Sequence, residues 1–190
     1  MIRAIIFDCF GVLTTDKWKE FVATLSVDQV QSAIDLNHAL DRGFISQTEF
    51  FEQISDLTGR SPEHIESVIN ADMHKNIQLM HYIKVLKKTY KIGLISNVSS
   101  NWVRDTFLSP EEAALFDDII LSYDVGLIKP EKAIYELSAR RLKCDVQECL
   151  FIDDSEGHCV GAIQAGMQSF MYKDFIQCKS SIEQITAISQ

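Results

Sequence analysis

Five short apolar runs punctuate the chain: Ile2 to Phe7, Ile92 to Ile95, Ile119 to Leu121, Leu150 to Ile152 and Phe170 to Tyr172. Each is strand-length and apolar almost throughout rather than alternating, which is the pattern of parallel strands covered on both faces. Helix-length segments separate the later runs. In Pro130 to Leu142, proline stands at a first-turn position and Ile134, Leu137 and Leu142 recur at roughly helical spacing. Strand and helix in alternation predict a doubly wound α/β sheet.

The long gap between the first two runs breaks that alternation and reads as helical. Helix starts are signalled at Ser26, Ser46 and Ser61, and stops at Gly43 and Gly59. The expectation is a small helical cap over residues 15–75, inserted into a core formed by residues 1–14 and 76–190, with a core helix near Ile77 to Lys88 leading into the second strand. A chain of 190 residues has room for one buried core plus such an insertion. The tail from Asp174 to Gln190 reads as a closing helix.

A net charge of −9 without long runs of either sign disfavours nucleic acid and anionic membrane surfaces as partners. If the ligand is itself an anion, an acidic chain needs a local cation to hold it. Cys9, Cys144, Cys149, Cys159 and Cys178 are scattered, with no paired spacing, which reads as a reduced chain without structural zinc. The apolar start is interrupted at Asp8, too short for a signal sequence or a span, so a cytoplasmic location is expected.

Ligands of open parallel sheets bind outside the carboxyl ends of the strands. Those ends carry Asp8, Ser96-Asn97 and Asp153-Asp154, while Lys129-Pro130 opens the helix after the third run. Taken singly, each has a plain structural reading. Asp8 accepts hydrogen bonds in a turn, Ser96 or Asn97 caps a helix beginning near Ser99 or Asn101, and Lys129 is a solvated surface lysine. Adjacent Asp153 and Asp154 are harder to place that way, because they repel one another unless a cation stands beside them. Cysteine-free oxygen ligation of this kind suits Mg²⁺.

The ordered set Phe7-Asp8-x-x-Gly11-Val12-Leu13, Ile95-Ser96-Asn97, Ile128-Lys129-Pro130-Glu131 and Phe151-Ile152-Asp153-Asp154-Ser155 resembles the four motifs of the haloacid dehalogenase (HAD) superfamily. The stretch from Leu40 to Phe51 resembles the small cap of the branch that includes epoxide-hydrolase amino-terminal domains and sugar phosphatases. The resemblance implies a Rossmannoid core and a Mg²⁺-dependent phosphatase acting on a small phosphorylated metabolite. It implies that Asp8 is the nucleophile and a metal ligand, that Ser96 and Asn97 hold the phosphoryl group, and that Lys129 neutralises it. It also implies that Asp154 and the Phe10 backbone carbonyl ligate the metal, with Asp153 behind its water shell.

One position departs from the pattern. The resembled phosphatases usually carry a second Asp two residues after the nucleophile as general acid and base, and this chain has Phe10 there. Three readings follow. One is a phosphatase for leaving groups that need little protonation, such as sugar 1-phosphates or acyl phosphates, or one with a donor borrowed from the cap. Another is a metal-independent haloacid dehalogenase, against which the paired Asp153-Asp154 speaks. The third is a pseudoenzyme or binding module that keeps the anion and metal site.

In the cap, His38, Asp41 and Arg42 are candidates for that borrowed role or for specificity, although each also reads as a solvated helix residue. Trp18 and Phe44 read as pocket lining or core packing, Cys9 as packing, and His158 as a neighbour of the metal motif or a helix-surface residue. No Walker lysine, nucleophile-elbow serine or His-Glu-x-x-His pair is present.

Overall fold

The computed structural model describes residues 1–71 and 73–188. A parallel sheet of five strands, in the order β3-β2-β1-β4-β5, is formed by β1 (Ala4–Phe7), β2 (Lys91–Ser96), β3 (Asp118–Leu121), β4 (Cys149–Asp153) and β5 (Gln168–Met171). Each predicted apolar run forms a strand. The order reverses direction on either side of β1, the doubly wound arrangement, so the ends of β1, β2 and β4 lie side by side.

Side chains alternate across the sheet and load both of its faces. Ile5 and Phe7 join Leu94, Leu150 and Ile152 on one face, packed against α5 (Ile77–Leu86) and α10 (Phe175–Ile188). Ala4, Ile6, Ile95 and Phe151 face the other way, toward α8 (Lys132–Arg141) and α9 (Glu156–Ala165). The expected carboxyl-terminal helix is present as α10, and residues 189–190 of that segment lie outside the described residues.

Between β1 and α5 lie α1 (Lys17–Val22), α2 (Val27–Asp41), α3 (Gln47–Thr58) and α4 (Pro62–Ile69). Ser26, Ser46 and Ser61 are N-caps as expected, and Gly59 closes α3 with φ +69°. The predicted stop at Gly43 lies slightly late, since α2 ends at Asp41 with Arg42 as its cap. These helices share a hydrophobic cluster of their own around Phe21, Phe50, Ile54 and Ile65, separate from the two clusters on the sheet. The chain leaves and re-enters the sheet layer at neighbouring points, because Thr14 forms an antiparallel bridge with Lys75 and Asn76 N–H donates to the Leu13 carbonyl at 2.8 Å.

Two local expectations are corrected. No α-helix begins at Ser99 or Asn101; the segment turns and forms a π-helical turn over Val103–Phe107, with Trp102 at its start. Pro130 lies ahead of α8 rather than in its first turn: the peptide bond to Lys129 is cis, and Glu131 is the N-cap. Two further short helices, α6 (Pro110–Ala113) and α7 (Ser122–Val125), flank β3.

Candidate active site

Pairing Phe7 with both Leu94 and Ile152 brings Asp8, just past β1, between the ends of β2 and β4. Lys129 reaches into the same place. Its ammonium lies 2.6 Å from Asp8 Oδ1 and 2.7 Å from Asp153 Oδ2, with the lysine 1% exposed. The solvated reading of Lys129 is therefore wrong, and two features of its loop explain why. Lys129 N–H donates to Asn97 Oδ1 at 2.9 Å while Asn97 Nδ2 donates to the Lys129 carbonyl at 3.1 Å, so Asn97 ties the two loops together. Gly161 on α9 leaves space for Pro130, whose carbonyl would stand 2.6 Å from any Cβ there.

Two buried carboxylates share one ammonium, and they do not share it equally. Burial pushes Asp153 up, but Lys129 and His158 outweigh it and hold the carboxyl well below the ordinary carboxylate range. Burial also raises Asp8, and the negative charge of Asp153 adds to it, so Asp8 titrates well above its ordinary value despite Lys129. Burial acts to lower Lys129, yet Asp153 and Asp8 keep it charged and raise it. With both carboxyls ionised, the one ammonium of Lys129 offsets one of their two charges.

The rest of Asp153 is satisfied within the chain. Ser155 N–H donates to Oδ1 at 2.8 Å, and His158 Nδ1 stands 3.1 Å from both oxygens. Asp154 faces the other way, against the turn that follows β1. A Cβ on Gly11 would stand 2.4 Å from Asp154 Cγ, and Gly11 has φ +81°, so glycine is required on both counts. Asp154 Oδ2 accepts from Lys19 Nζ of α1 at 2.7 Å. A positive group thus stands against the carboxylate that the motif reading assigns to the metal.

Hard oxygen donors at Asp8 and a lysine standing against Asp154 fit Mg²⁺. Asp8, Asp153 and His158 each offer an atom within 4.8 Å of the others. His158 is taken up by Asp153, however, and imidazole is a poor partner for Mg²⁺. Ser96 Oγ is buried without a hydrogen-bond partner among the described residues. An orphaned hydroxyl costs about 1–3 kcal/mol, which a polar ligand would relieve.

Phe10 turns its ring onto Trp102, with centroids 5.7 Å apart and planes 20° from parallel. Its backbone lies in the turn between Asp8 and Gly11. Cys9 is fully buried, and burial with Asp8 beside it raises the thiol well above its ordinary value, in keeping with packing.

The cap residues depart from a solvated reading. Asp41 is 6% exposed, His38 is half-buried with its pKa lowered by burial and by Arg42, and the Arg42 guanidinium pairs with Glu131. Trp18 packs on Phe21 and Phe50, whereas Phe44 is exposed beneath Arg42 and lines no core. Sequence reasoning missed Lys19 and Asp16. Asp16 is the N-cap of α1 and accepts from Lys19 N–H at 2.9 Å, a signal readable in the run Asp16-Lys17-Trp18-Lys19-Glu20. Nothing in that run points to Asp154.

Comparison with known proteins agrees with the motif reading. The chain is 27% identical over 188 residues to D-ribitol-5-phosphate phosphatase of Bacteroides thetaiotaomicron, covering 90% of this chain and 91% of that protein. It is 26% identical to bifunctional epoxide hydrolase 2 of Sus scrofa over 98% of this chain, which corresponds to 39% of that longer protein. A Bacteroides thetaiotaomicron HAD family enzyme, solved in complex with magnesium and inorganic phosphate, shares the fold with a TM-score of 0.69 at 23% identity, covering 91% of this chain and 95% of the other. The profile of haloacid dehalogenase-like hydrolases matches residues 2–166, and with the four motif segments gathered at one sheet edge, the chain belongs to that family.

Proposed function

We propose that the chain is a Mg²⁺-dependent phosphatase acting on a small phosphorylated metabolite through an aspartyl-phosphate on Asp8. The observation that carries this reading is the buried pairing of Asp8 with Lys129 beside the unpartnered Ser96 hydroxyl. An anion held there meets one fixed positive charge and one free donor, as phosphoryl transfer requires. The phosphatase relative of similar length supports the same class. Residues 15–75 serve as the cap that closes over this edge.

Asp8, the Phe10 carbonyl and Asp154 would hold the Mg²⁺, with Asp153 behind it, and the ion would supply a positive charge that favours the ionised form of Asp8 against burial. Lys129 and the Cys9 N–H both engage Asp8 Oδ1, at 2.6 Å each, so Oδ2 is the oxygen that attacks phosphorus. Lys129 neutralises the carboxylate before attack and the phosphoryl oxygens during it. Ser96 Oγ donates to one of those oxygens, and Asn97 holds the Lys129 loop in register. The ester oxygen leaves and takes up a proton. Water then attacks phosphorus, Asp8 is restored as a carboxylate, and inorganic phosphate departs. The Phe10 ring gives no proton, so the first step runs either on a readily departing group, as in sugar 1-phosphates and acyl phosphates, or on a donor other than residue 10.

A phosphoester panel assayed with Mg²⁺ and with chelator tests the reading, with Asp8→Asn as control. Phosphate release that needs Mg²⁺ and disappears in the variant is expected. Equal turnover by Asp8→Asn removes the nucleophile assignment. A blank panel alongside tight Mg²⁺ and phosphate binding turns the enzyme into a binding module.

A further inference from the structure

An ester of an ordinary alcohol does not part from phosphorus readily unless a proton reaches the departing oxygen. The aspartates buried among the described residues are Asp8, Asp41 and Asp153. Asp8 and Asp153 are engaged by Lys129, which leaves Asp41.

Asp41 is the last residue of α2, and two contacts fasten that helix end to the loops of the site. The Ser122 hydroxyl donates to the Asp41 carbonyl at 2.8 Å and accepts from Val98 N–H at 2.9 Å, two residues past Ser96. Arg42 pairs with Glu131, two residues past Lys129. The Asp41 carboxyl itself is buried, and its Oδ2 accepts from Asn37 Nδ2 at 2.8 Å, one turn back on the same helix. It forms no ion pair among the described residues, although Lys129 and Asp16 both act on it electrostatically.

We infer that Asp41 is the proton donor and acceptor of the reaction. Its carboxyl protonates the leaving oxygen as the ester P–O bond breaks, and the resulting carboxylate takes a proton from the water that cleaves the aspartyl-phosphate. Each turnover therefore returns Asp41 to its starting form. The substrate class is then the phosphomonoester of an unactivated alcohol. This deepens the phosphatase reading and rests on it.

The electrostatics suit the role. Burial pushes the Asp41 carboxyl up to about 7, with Lys129 and the Asn37 hydrogen bond opposing and Asp16 adding to the rise. Lys129 acts from the loop ahead of α8 and Asp16 from the turn ahead of α1. On its own helix end the titratable and charged neighbours are His38 and Arg42, the latter drawn to Glu131. A carboxyl poised near neutrality both gives and accepts a proton at working pH.

The test is steady-state hydrolysis of p-nitrophenyl phosphate and of alkyl phosphates, glycerol 3-phosphate and a sugar phosphate among them, between pH 5 and 9 with Mg²⁺. Wild type is compared with Asp41→Asn and Asp41→Glu. Aryl phosphate needs little leaving-group protonation, so the loss of kcat in Asp41→Asn is expected to be at least about 30-fold greater on alkyl than on aryl ester, within general-acid magnitudes. The wild-type decline in alkyl turnover above pH 7 should vanish with it, and Asp41→Glu should recover part of the rate. Equal losses on both esters, or none, overturn the inference by making Asp41 a packing residue, as does a wild type that cleaves aryl but no alkyl phosphate. A wild type that cleaves neither overturns the phosphatase reading first, and this inference with it.

Discussion

The Lys129 ammonium lies 2.6 Å from Asp8 Oδ1, and neither side chain is more than 7% exposed. Asp153 completes the group at 2.7 Å from the same nitrogen. Removing the lysine would leave two buried carboxylates facing one another. Lys129→Met is expected to lower stability by about 3–5 kcal/mol, the usual result of breaking a buried pair from one side, and to abolish phosphate release. Denaturant unfolding of the variant checks the first effect and a phosphate assay the second.

Gly11 allows Asp154 to lie against the turn that follows Asp8. In Gly11→Ala the new methyl meets Asp154 Cγ, and the left-handed backbone adds a strain of about 1–2 kcal/mol. The Mg²⁺ concentration for half-maximal activity is expected to rise roughly 10- to 100-fold, as when a ligand's support is disturbed. A Mg²⁺ titration that superimposes on wild type would remove Asp154 from the metal site.

Phe10→Asp is expected to raise alkyl phosphate turnover by at least about tenfold in an Asp41→Asn background, where it supplies the donor, and by less where Asp41 is present. Losing the stack on Trp102 should cost about 0.5–1.5 kcal/mol beyond the buried area. Rates and melting curves of the single and double variants read both effects. Unchanged alkyl rates in folded protein would show that residue 10 does not face the leaving group.

Asp41 also sets a pH dependence of stability. Its folded pKa, about 7, lies above its ordinary value of 3.8, so the native chain holds the proton more tightly than the unfolded one. Stability from this group is full below about pH 4 and is lost as pH rises through 7. Asp41→Asn lacks that titration, and relative to wild type it should gain roughly 2–4 kcal/mol between pH 4 and 8. Melting curves at both pH values test it, and a constant difference would place the Asp41 pKa near its ordinary value.

Much of the sheet is readable from the chain because apolar runs covered on both faces carry a strong signal and end where their chemistry begins. Ser26, Ser46 and Ser61 were legible for the same local reason, since a cap is set by its own few residues. What the sequence hides is contact across distance. Taken alone Lys129 reads as solvated, and only its motif marks it as a site residue; nothing beside it tells that Asn97 and Gly161 draw its loop inward. Asp41 reads as a surface helix residue, yet it is buried, and its carbonyl meets Ser122, far along the chain. Where a helix is expected after Asn101, a π-helical turn follows Trp102, and that indole is stacked on by Phe107 and, from a distant position in the sequence, by Phe10.

The strand order also has a kinetic consequence. β1 sits at the centre, yet Ala4 pairs with Lys91 on one side and Cys149 on the other. Contacts so distant in sequence close slowly, since the intervening chain must lose its freedom before the pairing repays it. The strand that presents Asp8 therefore waits on partners that emerge much later from the ribosome. A chain stalled or truncated before residue 149 would hold Asp8 and Lys129 without the strand whose Asp153 pairs with the same ammonium.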